Sequence, residues 1–118
     1  MAKNEVFENA DNLAVAVTQP ASPVSGSPVL YGQRPGVALV DKDTVSGLTT
    51  CTFKGQYLLS VKGVDAGGNA AVAEGDLLYY VAGDTPVLSK KVAGVRFGYA
   101  GGAIASGQTA TIPVTLGY

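Results

Sequence analysis

Residues 49–62 read TTCTFKGQYLLSVK, two runs of strand-forming residues on either side of Gly55. Threonine, valine, tyrosine and phenylalanine are enriched in β-strands. A glycine between two such runs permits the backbone conformations that a tight turn requires. The stretch therefore predicts a β-hairpin made of strands 49–54 and 56–62.

The rest of the chain repeats this pattern of short strand-forming runs between turn residues. The 16 glycines and 6 prolines interrupt nearly every segment before a helix could gain length. Gly94 and Gly98 predict a bulge or bend, and Pro113 predicts an edge strand or a bulge. Together these features predict an all-β fold, a small single-domain β-sandwich or β-barrel. Further strands are predicted at residues 13–18, 28–31, 37–40, 77–82, 87–100 and 109–116, with turns at 32–36 and 74–76.

The first 19 residues contain neither glycine nor proline, and two interpretations compete for them. Their apolar residues fall near helical spacing, whereas alternation and β-branching over residues 13–18 favour a strand. We predict an extended N-terminal arm over residues 1–12, followed by one β domain over residues 13–118. A polar terminal segment of this kind can become ordered on a partner, and simple fraying is the alternative.

The composition restricts the classes of partner. Charged residues make up 14% of the chain, and the net charge is -1. This is little charge for an ordinary monomer surface, so we expect other subunits or a partner to cover part of the surface. A core-rich monomer is the alternative. The lysines and arginines form no basic stripe, which argues against nucleic acid. The sequence shows neither a signal-peptide pattern nor an apolar run of membrane-spanning length. We expect synthesis in the cytoplasm and no membrane partner.

The residues needed for most catalytic and metal chemistry are missing. Histidine is absent, which excludes histidine-dependent triads, and a single cysteine without histidine excludes a Cys/His zinc site. Cys51 is expected to be a small buried apolar residue. Glu74 and Asp76 flank a turn glycine, where carboxylates usually bind nearby backbone rather than catalyse. We predict no enzymatic activity, no catalytic or metal-binding residues and no cofactor.

Candidate contact residues remain. Arg34 precedes Pro35 and Gly36 in a predicted turn, where it could bind a partner carboxylate or be an ordinary solvated arginine. Tyrosines are half-polar aromatics that suit subunit contacts. In the pair Tyr79-Tyr80 the side chains should point to opposite faces, one into the core and the other toward a subunit. The full set of tyrosines predicted to contact another subunit is Tyr79, Tyr80, Tyr99 and Tyr118.

The order of several segments resembles the small capsid decoration (cement) proteins of tailed phages. That family was long filed as a domain of unknown function and sometimes mislabelled as recombinases. The resemblance covers nearly the whole chain, although residues 63–73 and Gly101-Gly102 depart from it. The matching segments are LAVAVT (13–18), SGSPVLYG (25–32), PGVAL (35–39), TTCTFKG (49–55), AEGDLLYY (73–80), FGYA (97–100) and residues 107–116.

The resemblance implies a structural role. It implies binding to the major capsid protein on the outer surface of the virion, stabilisation of the shell at capsomer junctions, and self-association, commonly as a homotrimer. Capsid contacts are then expected from the arm residues Lys3, Asn4, Val6 and Phe7 and from Arg34. The alternatives are a virion-displayed β-module that binds carbohydrate or the host surface, a nucleotide-binding recombinase, and a tail or head-completion protein.

Overall fold

Eleven β-strands build the chain in a computed structural model of the protein, which describes residues 12–116. The described residues contain no helix, so the predicted all-β class is confirmed. The predicted arm, except Asn12, lies outside the described residues; Asn12 already belongs to the first strand. The strands are β1 (Asn12–Val15), β2 (Pro28–Tyr31), β3 (Arg34–Ala38), β4 (Thr49–Thr52), β5 (Gln56–Lys62), β6 (Val64–Asp65), β7 (Gly68–Asn69), β8 (Leu77–Tyr80), β9 (Leu88–Ser89), β10 (Val95–Ala100) and β11 (Thr109–Leu116).

Five strands form a closed barrel in the order β10-β11-β5-β9-β8. Its longest ladder joins β5 to β11 in antiparallel register, from Gln56 opposite Thr115 to Lys62 opposite Thr109. The short strand β9 closes the barrel, because it pairs in parallel with β5 and antiparallel with β8. The residues packed inside are apolar and almost fully buried, among them Val61, Leu78, Leu88, Phe97 and Val114.

Four strands form a smaller sheet in the order β1-β4-β3-β2. The chain that follows β1 returns to the opposite edge of this sheet, where the backbones of Gln19 and Leu30 exchange hydrogen bonds. The two edges of the sheet are therefore joined, and the sheet curls around a second apolar cluster. That cluster consists of Val15, Val29, Ala38, Cys51 and Phe53.

The small sheet also contributes to the barrel core. Leu30 and Val37 pack into the barrel cluster, whereas their neighbours Val29 and Ala38 pack into the second cluster. Since successive side chains of a strand point to opposite faces, β2 and β3 are buried on both sides. The two strands therefore lie between the barrel cluster and the second apolar cluster.

The predicted hairpin of residues 49–62 is wrong, although both of its strands exist. β4 pairs with β1 and β3 in the small sheet, while β5 pairs with β11 and β9 in the barrel. Gly55, at φ +105°, turns the chain from one sheet to the other, and its carbonyl accepts a hydrogen bond from the Leu116 amide. β4 and β5 each lie between two other strands, so they do not pair with each other.

Several predicted strand boundaries shift. The strand predicted at 37–40 begins at Arg34 and ends at Ala38, so the turn predicted at 32–36 is confined to Gly32 and Gln33. The strand predicted at 87–100 is two strands, β9 and β10. Its predicted bulge is confirmed, because the register between β10 and β8 shifts between Arg96 and Gly98.

Pro113 does not mark an edge strand, since β11 lies between β10 and β5. The β10 ladder ends where Ala100 pairs with Val114, and the Pro113 carbonyl then accepts a hydrogen bond from the Gly101 amide at 2.7 Å. The Pro113 nitrogen faces this same side, where β10 has already ended. A missing N–H therefore breaks no strand-to-strand bond at this position.

Candidate functional site

Three aspartates, including Asp76 of the predicted 74–76 turn, each accept a hydrogen bond from a backbone amide within a turn. Asp43 accepts a hydrogen bond from the Val45 amide at 2.8 Å, and that bond lowers the pKa of its carboxyl group. Asp65 accepts one from the Gly67 amide at 2.8 Å. Asp76 accepts the Ala73 amide at 2.8 Å, which is the main cause of its lowered pKa, and also pairs with a lysine. Within residues 12–116 no group of three or more acidic or cysteine side chains is placed to hold a metal ion.

Cys51 is fully buried in the second apolar cluster, as predicted. Burial raises the pKa of its thiol, so the reactive thiolate form is disfavoured. The thiol donates weakly to the Thr49 carbonyl at 3.5 Å. Its role is packing.

Arg34 forms an arginine–aromatic cluster with Phe53 and Tyr31, here named the Arg34 cluster. The guanidinium carbon lies 4.2 Å from the centre of the Phe53 ring, a cation–π arrangement. The Tyr31 and Phe53 ring centres are 6.4 Å apart, and the Tyr31 side chain is 44% exposed. Arg34 is the first residue of β3 rather than a turn residue, and it lies opposite Tyr31 across the β2–β3 ladder. Strand pairing and ring stacking together fix the direction of the arginine.

The Arg34 cluster lies at the end of the small sheet where the chain enters β1. Asn12 pairs with Thr52, the residue before Phe53. The predicted capsid-contact residues Lys3, Asn4, Val6 and Phe7 lie outside the described residues. The point where the arm joins β1 therefore lies toward the same end of the small sheet as Arg34, although the two are more than 20 positions apart in the sequence.

A second arginine–aromatic cluster, the Tyr79 cluster, lies on the outside of the barrel. Tyr79 pairs with Arg96 across the β8–β10 ladder, and the Arg96 guanidinium donates to the Tyr99 hydroxyl at 3.4 Å. Both tyrosines are half-buried. Tyr80 is 3% exposed and packs inside the barrel against Phe97, and burial raises the pKa of its hydroxyl.

This arrangement corrects the set of predicted subunit contacts. Tyr79 points outward and Tyr80 inward, as alternation requires. Tyr80 is therefore a core residue and no longer a candidate for subunit contact. Tyr79 and Tyr99 remain candidates, and Tyr118 lies outside the described residues.

The barrel face next to the Tyr79 cluster is rich in uncharged side chains. Leu58 is 70% exposed on β5 and lies opposite Pro113 of β11. The neighbouring position pairs Gln56 with Thr115, and the Gln56 amide donates to the Thr115 hydroxyl at 3.2 Å. An uncharged face loses little solvation when another protein covers it.

Sequence reasoning missed a further group of exposed apolar side chains. The loops 20–27 and 39–48 meet at the end of the small sheet opposite the Arg34 cluster, and we name this feature the valine tip. Val45 at its apex is 95% exposed. A single valine among polar loop residues gives no periodic signal, so only the folded arrangement reveals the cluster. Its exposed apolar members are Val24, Leu39, Val40, Val45 and Leu48.

Comparison with known proteins adds no assignment: no family model, no curated protein and no solved structure matches this chain. Among residues 12–116 there is no helix long and apolar enough to cross a membrane. The structure itself defines an all-β protein with a closed five-stranded barrel, a small curled sheet and two surface arginine–aromatic clusters.

Proposed function

We propose that the protein is a structural decoration protein that binds the major capsid protein on the outer surface of a tailed-phage head and stabilises the shell at capsomer junctions. The resemblance of its sequence segments to that family supports the class. The structural observation that favours a binding role is the Arg34 cluster, which lies at the end of the small sheet where the chain enters β1. In this proposal the protein is made in the host cytoplasm, acts on the virion, and has neither catalytic activity nor a cofactor.

The Arg34 cluster suits recognition of a carboxylate on another protein. The Arg34 guanidinium carbon lies 4.2 Å from the Phe53 ring centre, and a guanidinium can bind a carboxylate through two parallel N–H···O hydrogen bonds. Because stacking already restricts the side chain, less conformational entropy is lost on binding. In this proposal the arm residues Lys3, Asn4, Val6 and Phe7 would contact the shell as well.

Self-association, expected as a homotrimer, would use the Tyr79 cluster. Tyrosine and arginine are enriched among the residues that contribute most to protein interfaces. The neighbouring uncharged face extends the surface that a second copy can cover. Several copies held together present several shell contacts at once, so weak individual contacts combine into tight binding.

Co-sedimentation with expanded, undecorated capsids tests the proposal. The wild-type protein should pellet with the capsids at a saturating stoichiometry related to the shell symmetry. Arg34→Gln should weaken binding by about tenfold, because a charge-assisted hydrogen bond is lost. The matched control Lys62→Gln removes one positive charge on the barrel and should bind like the wild type.

Wild-type protein that stays in the supernatant at micromolar concentration and physiological salt would contradict the proposal. Binding to a glycan array in that case would favour the carbohydrate- or host-surface-binding module, with the exposed Tyr31 as its aromatic platform. Equal binding by wild type and Arg34→Gln would remove the Arg34 cluster from the contact while leaving the class intact.

A further inference from the structure

A small polar hollow lies on the outside of the barrel, beside the end of β5 where β5 pairs with β9. Val61 of β5 is fully buried in the barrel core, so alternation directs the next residue, Lys62, to the outside. The hollow has a volume of about 150 Å³, and we name it the lysine hollow. Its lining comes from β5, β6 and the segments on either side of β9, and consists of Lys62, Val64, Asp84, Thr85, Pro86 and Lys91.

Backbone hydrogen bonds hold the walls of the lysine hollow in place. The Val81 amide donates to the Val87 carbonyl at 2.8 Å, which closes the loop between β8 and β9. The Lys90 amide donates to the Val64 carbonyl at 2.9 Å, which fixes the segment after β9 against β6. Because the walls are positioned before anything binds, less conformational entropy is lost when the hollow is filled.

The charges in the lysine hollow do not balance. Lys91 donates to the Asp84 carboxylate at 2.7 Å, and both side chains are about one-third exposed. Lys62 is half-buried, and its ammonium group has neither a hydrogen-bond partner nor an ion-pair partner within residues 12–116. Two lysines and one aspartate leave a net positive charge of one at pH 7. The hollow is therefore complementary to a group that carries a single negative charge.

The polar groups of the hollow include several hydrogen-bond donors that suit an oxyanion. An ammonium group carries three N–H donors, so Lys91 can donate to a second oxygen while it stays paired with Asp84. Lys62 can offer all of its donors, and the Thr85 hydroxyl can donate as well. A hydrogen bond between an ammonium group and a carboxylate is roughly twice as strong as one between neutral groups.

The size of the hollow and the apolar part of its lining define the ligand further. A cavity of about 150 Å³ can hold a molecule of about the size of benzene. Val64 and Pro86 supply the apolar part of the lining. A short-chain monocarboxylate can place its charge against the lysines and its hydrocarbon part against these two side chains.

We propose that the lysine hollow binds a small monocarboxylate, with the carboxylate held between the Lys62 and Lys91 ammonium groups. Lys62 is the main charge partner, because Lys91 is already paired with Asp84. Asp84 repels the incoming carboxylate and thereby selects against ligands with more than one negative charge. The inference is independent of capsid binding, because the hollow lies on the barrel whereas Arg34 lies on the small sheet.

An NMR titration of the isotope-labelled protein with propionate at pH 7 tests the site, with sodium chloride at equal ionic strength as the reference. The backbone amide signals of Lys62, Thr85 and Lys91 should shift and saturate, with half-saturation at roughly 1–10 mM. Propionamide has nearly the same shape without the charge, so it should shift these signals only weakly.

Charge variants with unchanged circular dichroism separate the roles of the lining residues. Lys62→Gln should weaken propionate binding by about tenfold, and Lys62→Met, which keeps an apolar stem, should do the same. Asp84→Asn should strengthen binding by about threefold or more, because it removes the repelling carboxylate and leaves Lys91 without its competing partner. The matched control Lys42→Gln removes a lysine charge outside the hollow and should bind like the wild type.

Three results would overturn the inference. Signals that do not saturate up to about 100 mM propionate would show that the hollow is not a site for this ligand. Equal shifts with propionate and propionamide, or equal propionate binding by Lys62→Gln and the wild type, would show that the lysine charge does not hold the ligand. Weaker binding by Asp84→Asn would show that the aspartate supports binding rather than opposing it.

Discussion

Replacing Thr49 by valine should stabilise the protein. Thr49 is 1% exposed in β4, and its hydroxyl has no hydrogen-bond partner among the described residues. Leaving a hydroxyl buried and unpaired costs about 1–3 kcal/mol. Valine has nearly the same shape but carries a methyl group, so it removes this cost without opening a cavity. We expect a gain of about 1 kcal/mol, at the lower end of this range.

Urea unfolding at pH 7, followed by circular dichroism, measures the effect of Thr49→Val. A gain of about 1 kcal/mol corresponds to an increase in the melting temperature of roughly 4 °C for a domain of this size. Thr50→Val is the matched control, because its side chain is exposed on the adjacent position, and it should change stability by less than about 0.5 kcal/mol. A loss of stability in Thr49→Val, with Thr50→Val neutral, would refute the reasoning by showing that the Thr49 hydroxyl is bonded in solution.

Three more substitutions or treatments test the fold. Gly98→Ala should destabilise the barrel by about 2 kcal/mol or more in thermal unfolding, because a Cβ there collides with the Thr115 carbonyl; an unchanged melting temperature would contradict the described bulge. Asp76 has a lowered pKa, so its ionised form stabilises the fold above its ordinary pKa of about 3.9, and this stability is lost as pH falls through the folded-state value. Asp76→Asn should therefore be less stable than wild type at pH 7 in urea unfolding, with the difference shrinking below about pH 4; a constant difference across pH would contradict the assignment. Cys51 should react with a thiol reagent only after denaturation, and rapid labelling of the folded protein would show that the second cluster opens.

The strands themselves could be predicted from the sequence. Residues 28–31, 56–62 and 109–116 were predicted as strands and match β2, β5 and β11. The signal is local, because β-branched and aromatic residues between glycines and prolines specify an extended segment without reference to the rest of the chain.

Strand partners could not be predicted in the same way. The pattern of residues 49–62 fits a hairpin, yet Cys51 packs into the second cluster while Leu59 packs into the barrel. Which sheet buries each side chain depends on strands that are distant in the sequence, such as β1 and β11. The alternation of apolar and polar residues indicates that one face of a strand is buried, but it does not identify the strands that cover that face.

For the candidate site, too, local sequence features could be predicted and tertiary contacts could not. Alternation required Tyr79 and Tyr80 to point apart, but only the closed barrel decides that Tyr80 is inside. The following Pro35 marks Arg34 in the sequence, whereas the packing of Arg34 on Phe53 depends on the pairing of β3 with β4. The valine tip depends on hydrogen bonds between loops 14 to 21 positions apart, which no local pattern encodes.

The two ends of the small sheet offer different chemistry, which bears on the proposed binding to a shell and to other copies. The Arg34 cluster lies at the end where the chain enters β1, and the valine tip lies at the other end. Four strand residues separate the two ends by roughly 13 Å. A contact made by the valine tip would therefore leave the Arg34 cluster of the same copy uncovered. In the proposed function, binding at one end of the sheet would then not block binding at the other, and each copy in an assembly would add a shell contact.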